Sequence, residues 1–168
     1  MKSNPHKILI LGDGVRGKST LAEKLSKKLD IPWYSTDDFY YEIKFTKQRD
    51  KQQSIDEIAK IYTQGEWIVE GTTEHLVAGG LKSADVILFL TYSNIFIQWA
   101  KLIQRHFGRD NESIGGLLGL MKHLFYKRYG IGYRKGKMTM SELIAPYRKK
   151  VTQLASFKEI DEFVRQQE

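Results

Sequence analysis

The segment Gly12-Asp13-Gly14-Val15-Arg16-Gly17-Lys18-Ser19 fits the pattern G-x-x-x-x-G-K-[ST]. Glycines there allow positive φ angles and a close approach of backbone N–H groups, which together form an anion-binding nest. A helix opening at Ser19 sets its N-terminal partial positive charge beneath bound phosphates. In this pattern the Lys18 ammonium reaches the β- and γ-phosphates and the Ser19 hydroxyl ligates Mg²⁺. Gly12, Gly14, Val15, Arg16, Gly17, Lys18, Ser19 and Thr20 are therefore the expected contacts of a nucleoside triphosphate, ATP or GTP.

Phosphoryl chemistry also needs acids. Two apolar runs downstream end in carboxylates, one at Asp37-Asp38 and the other at Glu70. In open α/β sheets ligands sit at the carboxyl ends of the strands. An acid there holds Mg²⁺ or takes a proton from an attacking hydroxyl. Neighbouring side chains on an extended backbone point opposite ways, so one aspartate faces the phosphates: Asp37 is favoured, with Asp38 as a helix cap. Glu70 has two readings, a metal-organising acid or the N-terminal carboxylate of a helix that follows Gly71-Thr72-Thr73.

These groups need a scaffold, and the pattern around them supplies one. Lys7–Leu11, Trp33–Thr36, Trp67–Val69, Asp85–Leu90 and Val151–Leu154 read as five short strands, four of them ahead of an amphipathic stretch. Leu21, Ala22, Leu25 and Leu29 form one helical stripe. Ser54 with Glu57, and Ser156 with Glu159, are spaced as capping boxes. After the second of these, Phe157, Ile160 and Val164 are expected to point inward. A further helix is expected from about Asn94 to Phe107. Strands alternating with helices predict βαβ units, a parallel sheet, and one domain over residues 1–168.

Gly12–Ser19 followed by Thr20-Leu21-Ala22, Ser35-Thr36-Asp37 and Trp67-Ile68-Val69-Glu70-Gly71-Thr72 resemble the adenylate-kinase-like P-loop proteins. Within them the chain is most similar to the group labelled topology modulation proteins. The resemblance covers nearly the whole chain. It implies a three-layer α/β/α fold with a five-stranded parallel sheet in the order 2-3-1-4-5. It also implies a phosphate-acceptor side, a mobile lid, and a base-binding turn at Leu154-Ala155-Ser156-Phe157. Glu70 then corresponds to the acid of strand three, and Arg105 and Arg109 to the lid arginines. Nucleoside monophosphate kinases carry arginines where this chain has Tyr40-Tyr41-Glu42 and Thr72-Thr73-Glu74-His75, so the acceptor site departs from theirs.

The 168 residues hold 27 Lys+Arg against 20 Asp+Glu, a formal charge of +7. Residues 101–150 hold 12 basic and 3 acidic side chains, so the whole excess lies in one segment. Arg105 and Arg109, four apart, share a helix face that suits either a clamp on phosphate or a solvated helix end. Ile114, Leu117, Leu118, Met121 and Phe125 form one apolar stripe, followed by basic residues interleaved with Tyr126, Tyr129 and Tyr133. A cationic lid at about 106–138 is the first expectation. Nucleic-acid binding or an anionic membrane surface suits the same composition.

The chain has no cysteine, which excludes disulfide scaffolds and Cys-based zinc sites. His6, His75, His106 and His123 lack metal-ligand spacing. No apolar run approaches the length of about 18 residues needed to span a bilayer, and the start is too short for a signal-peptide core, so a cytoplasmic protein is expected. The expected class is a Mg²⁺-dependent phosphotransferase acting on a nucleoside, nucleotide or other small hydroxyl acceptor. The other class is a nucleotide-binding regulator or nucleic-acid-binding protein whose hydrolysis is slow.

Overall fold

The five parallel strands alternate in what they bury, and that alternation builds two cores. In β1 (Lys7–Gly12) Ile8 and Ile10 point to one side of the sheet and Leu9 and Leu11 to the other, all of them fully buried. Successive strand side chains face opposite ways, so a strand covered on both faces must be apolar throughout. This computed structural model describes residues 5–14, 16–43, 46–91, 99–100, 102–104, 107, 114–129 and 139–167.

One core lies beneath α1 (Lys18–Leu29), where Leu21, Ala22 and Leu25 meet Ile8, Ile10, Ile68, Leu88 and Leu90. The C-terminal α7 (Phe157–Arg165) closes it with Ile160. The second core lies beneath α3 (Lys51–Tyr62) and α4 (Glu74–Ser83). There the Tyr62 ring packs edge-on against Trp67 and beside Gly79 and Gly80, while its hydroxyl donates to the Leu76 carbonyl at 2.9 Å.

Along the main sheet the order is β2 (Trp33–Ser35), β5 (Trp67–Gly71), β1, β6 (Val86–Leu90), β7 (Val151–Leu154). Counting only these parallel strands in chain order, that is the expected 2-3-1-4-5. The register sets Ile10 beside Glu70, Ser35 beside Glu70, and Gly12 beside Leu90. The phosphate-loop glycine, the Glu70 carboxylate and the end of β6 thus meet at one edge.

Several local expectations are corrected. The second strand stops at Ser35, and Asp37 and Asp38 lie in the first turn of a short helix, α2 (Thr36–Tyr40). Its cap is Ser35, whose hydroxyl accepts from the Asp37 N–H at 3.3 Å, so Asp38 is not a cap and the extended-backbone argument for choosing between the aspartates does not apply. The third helix begins earlier than Ser54. Asp50 caps it by accepting from the N–H groups of Gln52 and Gln53, while the Ser54 hydroxyl donates back to the Asp50 carbonyl. A carboxylate four residues upstream satisfies the free donors first.

A two-stranded hairpin, β3 (Tyr41–Ile43) with β4 (Lys47–Gln48), was not anticipated. Of the helix expected over 94–107, residues 99–100, 102–104 and 107 are helical and the others lie outside the described residues. In α5 (Ile114–Tyr129) the inward side keeps Leu117, Met121 and Phe125 of the expected stripe, half-buried, and adds Leu124. Leu124 is buried and Phe125 packs near Trp99, whereas Ile114 and Leu118 are 70% and 60% exposed. The sequence 139–150 forms α6 (Met140–Ile144), capped by Thr139 and Glu142, which tightens at Ala145-Pro146 into a 3₁₀ turn through Lys150.

Candidate functional site

The loop between β1 and α1 is held from both ends. Gly12 has φ +148°, and a Cβ there would stand 2.7 Å from the Leu90 carbonyl oxygen, so no other residue lets β1 end this close to β6. Gly17 caps α1 with φ 79°, the left-handed conformation that an L side chain resists. Gly14 faces open space and has no positive φ, so of the expected glycines only Gly12 and Gly17 are demanded by backbone geometry.

Within the loop the Lys18 ammonium donates to the Asp13 carbonyl at 3.1 Å. The Arg16 side chain, expected among the phosphate contacts, is buried. Its Nη1 donates to the Leu90 carbonyl at 2.9 Å, and its Nη2 pairs with Asp13 Oδ2 at 2.8 Å. Val15, Arg105 and Arg109 lie outside the described residues.

Glu70 is 5% exposed and accepts a hydrogen bond from the Ser19 hydroxyl at 3.0 Å. The two residues expected to organise Mg²⁺ come from positions 51 apart and meet at the mouth of the loop. A buried carboxylate against a serine hydroxyl is the oxygen donor set that Mg²⁺ takes when substrate phosphates and water complete its shell. Among the described residues there is no group of three or more His, Cys, Asp or Glu that could hold a metal by itself.

A cleft of about 440 Å³ opens beside this edge, lined by Arg16, Gly17, Lys18, Ser19, Thr20 and Leu21, with Lys24, Gln104, Phe157, Ile160 and Asp161. Phe157, expected inward, is instead 42% exposed and forms part of this wall. Its neighbours in the expected base-binding turn are engaged in capping α7. The Ala155 N–H donates to Glu159 Oε2, and the Ser156 hydroxyl donates to Glu159 Oε1 while accepting from the Glu159 N–H. These bonds hold the Glu159 carboxyl below its ordinary range.

Lys24, Gln104, Ile160 and Asp161 were not anticipated as lining residues. Lys24 lies one helical turn beyond Thr20 and pairs with Asp161 at 2.8 Å. The i, i+4 spacing carried that signal, but Asp161 joins it only through the docking of α7 on α1.

Across the sheet edge, Thr36 is fully buried, and its hydroxyl sits 1.9 Å from where a Gly71 Cβ would be. Asp37 follows it, and its charge, after burial, helps raise the Tyr41 hydroxyl above its ordinary value. The His75 ring lies 6.1 Å from that of Tyr40. Burial first, then the Lys51 charge, lowers the His75 pKa, and Glu74 opposes them. Neither Asp37 nor Glu70 lines the cleft, and the register that sets Ser35 beside Glu70 brings the start of α2 to the same sheet edge as the Glu70 carboxylate.

Sheet order, flanking helices and phosphate loop together define the α/β fold of the P-loop kinases. A shikimate kinase from Bacteroides thetaiotaomicron superposes with a TM-score of 0.57 at 13% identity, over 94% of this chain and 93% of its own. A shikimate kinase from Acinetobacter baumannii, solved in complex with shikimate, gives 0.56 at 12% identity, covering 98% and 90%. An uncharacterized protein from Eubacterium ventriosum gives 0.53 at 15%, covering 95% and 94%. Likeness at this level of identity is likeness of fold. In sequence, the uncharacterized protein YqaC of Bacillus subtilis (strain 168) is 37% identical over 122 residues, 69% of this chain. The match covers 64% of YqaC, less than two thirds of its length. No protein-family model matches the chain.

Proposed function

We propose that this chain is a Mg²⁺-dependent P-loop phosphotransferase that moves the γ-phosphoryl group of ATP or GTP to a hydroxyl acceptor. The observation that carries the proposal is the 3.0 Å bond from Ser19 to the buried Glu70 at the mouth of the Gly12–Ser19 loop. Loop N–H groups and Lys18 hold the β- and γ-phosphates, and Phe157 borders the base. Ser19 and Glu70 hold the metal, with Asp37 as the further acid expected on that side. When bound, Mg²⁺ offsets the charge of the phosphate oxygens.

Asp37 orients the acceptor hydroxyl and takes its proton as the oxygen bonds to the γ-phosphorus and the nucleoside diphosphate leaves. Arg105, just before a lid at about 106–138, and Arg109 within it stabilise the charge on the transferring group. The acceptor is a nucleoside, a nucleotide or another small hydroxyl compound. The absence of arginine from Tyr40-Tyr41-Glu42 and Thr72–His75 argues against a nucleoside monophosphate. The similarity to the topology modulation group supports a single kinase-like domain. A consumer of the cellular triphosphate pool belongs in the cytoplasm.

Lys18→Ala should abolish stabilisation of the fold by Mg-nucleotide. Stabilisation equal to wild type would refute the loop assignment. Incubation with Mg-ATP and a panel of nucleosides, nucleotides, sugars and oligonucleotides should yield ADP and one phosphorylated product. One observation favours a second reading, a nucleotide-dependent regulator that binds nucleic acid: the +9 charge of residues 101–150. Such binding would weaken steeply with salt. No binding at low salt removes that reading, and ADP formed with water alone as acceptor favours it.

A further inference from the structure

We propose that Asp13 and Arg16 form an internal counter-charge clasp in the phosphate loop, with Arg16 a positioning residue rather than a phosphate ligand. The proposal rests on the nucleotide-binding reading above. An acid inside a loop that receives a polyphosphate is electrostatically adverse, since like charges a few ångströms apart in a partly buried site repel strongly. Asp13 is such an acid, and its side chain is 27% exposed.

The guanidinium of Arg16 answers it at 2.8 Å and is itself only 9% exposed. The same fork reaches the Leu90 carbonyl at 2.9 Å, on a strand 74 residues further along the chain. The planar guanidinium presents its donors in a fixed fork, one nitrogen to each partner. Leu90 is also the residue that Gly12 abuts, so both ends of the loop's first turn bear on one carbonyl. The pair therefore does two things: it cancels the Asp13 charge, and it ties the loop to the end of β6. Turning Arg16 outward to grasp a phosphate would break both bonds and take the guanidinium away from the Asp13 carboxylate.

The test is calorimetric titration of Mg-ATP and Mg-ADP into wild type, Lys18→Ala, Arg16→Ala, Asp13→Asn and the Asp13→Asn/Arg16→Ala double variant. Arg16→Ala should weaken ATP binding by at least about tenfold, the scale of one lost charged hydrogen bond. The loss should be larger for ATP than for ADP, because the unmasked Asp13 charge opposes each added phosphate. Removing that charge in the double variant should restore most of the ATP affinity. A simple packing defect predicts neither the ATP–ADP difference nor the rescue. Equal losses for the two nucleotides, or a double variant no better than Arg16→Ala, overturn the proposal.

Should Arg16→Ala not fold, Asp13→Asn decides. That variant keeps an acceptor for Arg16, and it should bind ATP more tightly than wild type, most of all at low salt. Unchanged or weaker binding overturns the clasp. Failure of the underlying reading looks different, because wild type itself would then bind neither nucleotide.

Discussion

Replacing Glu70 with glutamine isolates the charge of the candidate metal site from its shape. The amide can still present an oxygen to the Ser19 hydroxyl that now donates at 3.0 Å, and the side chain keeps its volume at a position 5% exposed. With packing and hydrogen bond retained, the ligand-free protein should keep its stability to within about 1 kcal/mol. Nucleotide binding should change far more. At a Mg-nucleotide concentration 100-fold above Kd, wild type gains about 2.7 kcal/mol. A domain of this size converts each kcal/mol to about 2–4 °C, so its Tm should rise by roughly 5–11 °C.

A lost charged contact of about 1.5–3 kcal/mol weakens binding by roughly 10–150-fold. At the same ligand concentration the residual stabilisation falls to about 0.3–1.3 kcal/mol, or roughly 1–5 °C. The assay is thermal unfolding with and without nucleotide, each in Mg²⁺ and in a chelator. The chelator should reduce the wild-type shift toward that of Glu70→Gln and leave the variant nearly unchanged. A variant whose shift and Mg²⁺ dependence equal wild type would refute the assignment of Glu70. It would leave the carboxylate as no more than a partner for Ser19.

Other perturbations test neighbouring parts. Gly71→Ala sets a Cβ 1.9 Å from the Thr36 hydroxyl in a site with no spare volume, so it should destabilise the fold by about 1–3 kcal/mol by chemical denaturation. The lowered His75 pKa means that the unfolded chain takes up a proton more readily than the native one. Wild-type stability should therefore decline as pH falls through about 6.5, and His75→Gln should flatten that limb of the profile. Arg105→Ala combined with Arg109→Ala should lower kcat more than it raises KM for nucleotide, if both act on the transferring phosphoryl group.

What could be read in the chain beforehand was set by local chemistry. Lys7–Gly12 announces itself because a strand covered on both faces has no polar residue to interrupt it, and the glycine motif follows directly. Glu70 was legible for the same reason, as the first acid after a buried run. The aspartates were harder. Whether Ser35-Thr36-Asp37-Asp38 continues a strand or opens a helix depends on a hydroxyl accepting from an N–H two residues on, and serine favours that as readily as it permits extension. Arg16 gave no signal at all, because its second partner is a carbonyl on β6. The inward side of α5 is only partly legible because six of its sixteen residues are leucine, isoleucine, methionine or phenylalanine at nearly every angle before Leu124 is counted, so packing and not periodicity chooses the face.

The charge of the chain bears on how such a site can work. The described cations that line the cleft are each engaged: Arg16 with Asp13, Lys24 with Asp161, and Lys18 with the Asp13 carbonyl. Residues 1–100 carry equal numbers of acids and bases, so the body that holds the loop adds no net attraction for a polyphosphate. Loop N–H dipoles and a metal offset part of a triphosphate's charge, but they act at short range and only after it has arrived. On the proposed reading, attraction at a distance would come from residues 101–150, whose excess of nine positive charges is the only large one in the sequence. Capture and positioning would thus be divided, on that reading, between a cationic segment that draws the nucleotide in and a nearly neutral loop that fixes its geometry.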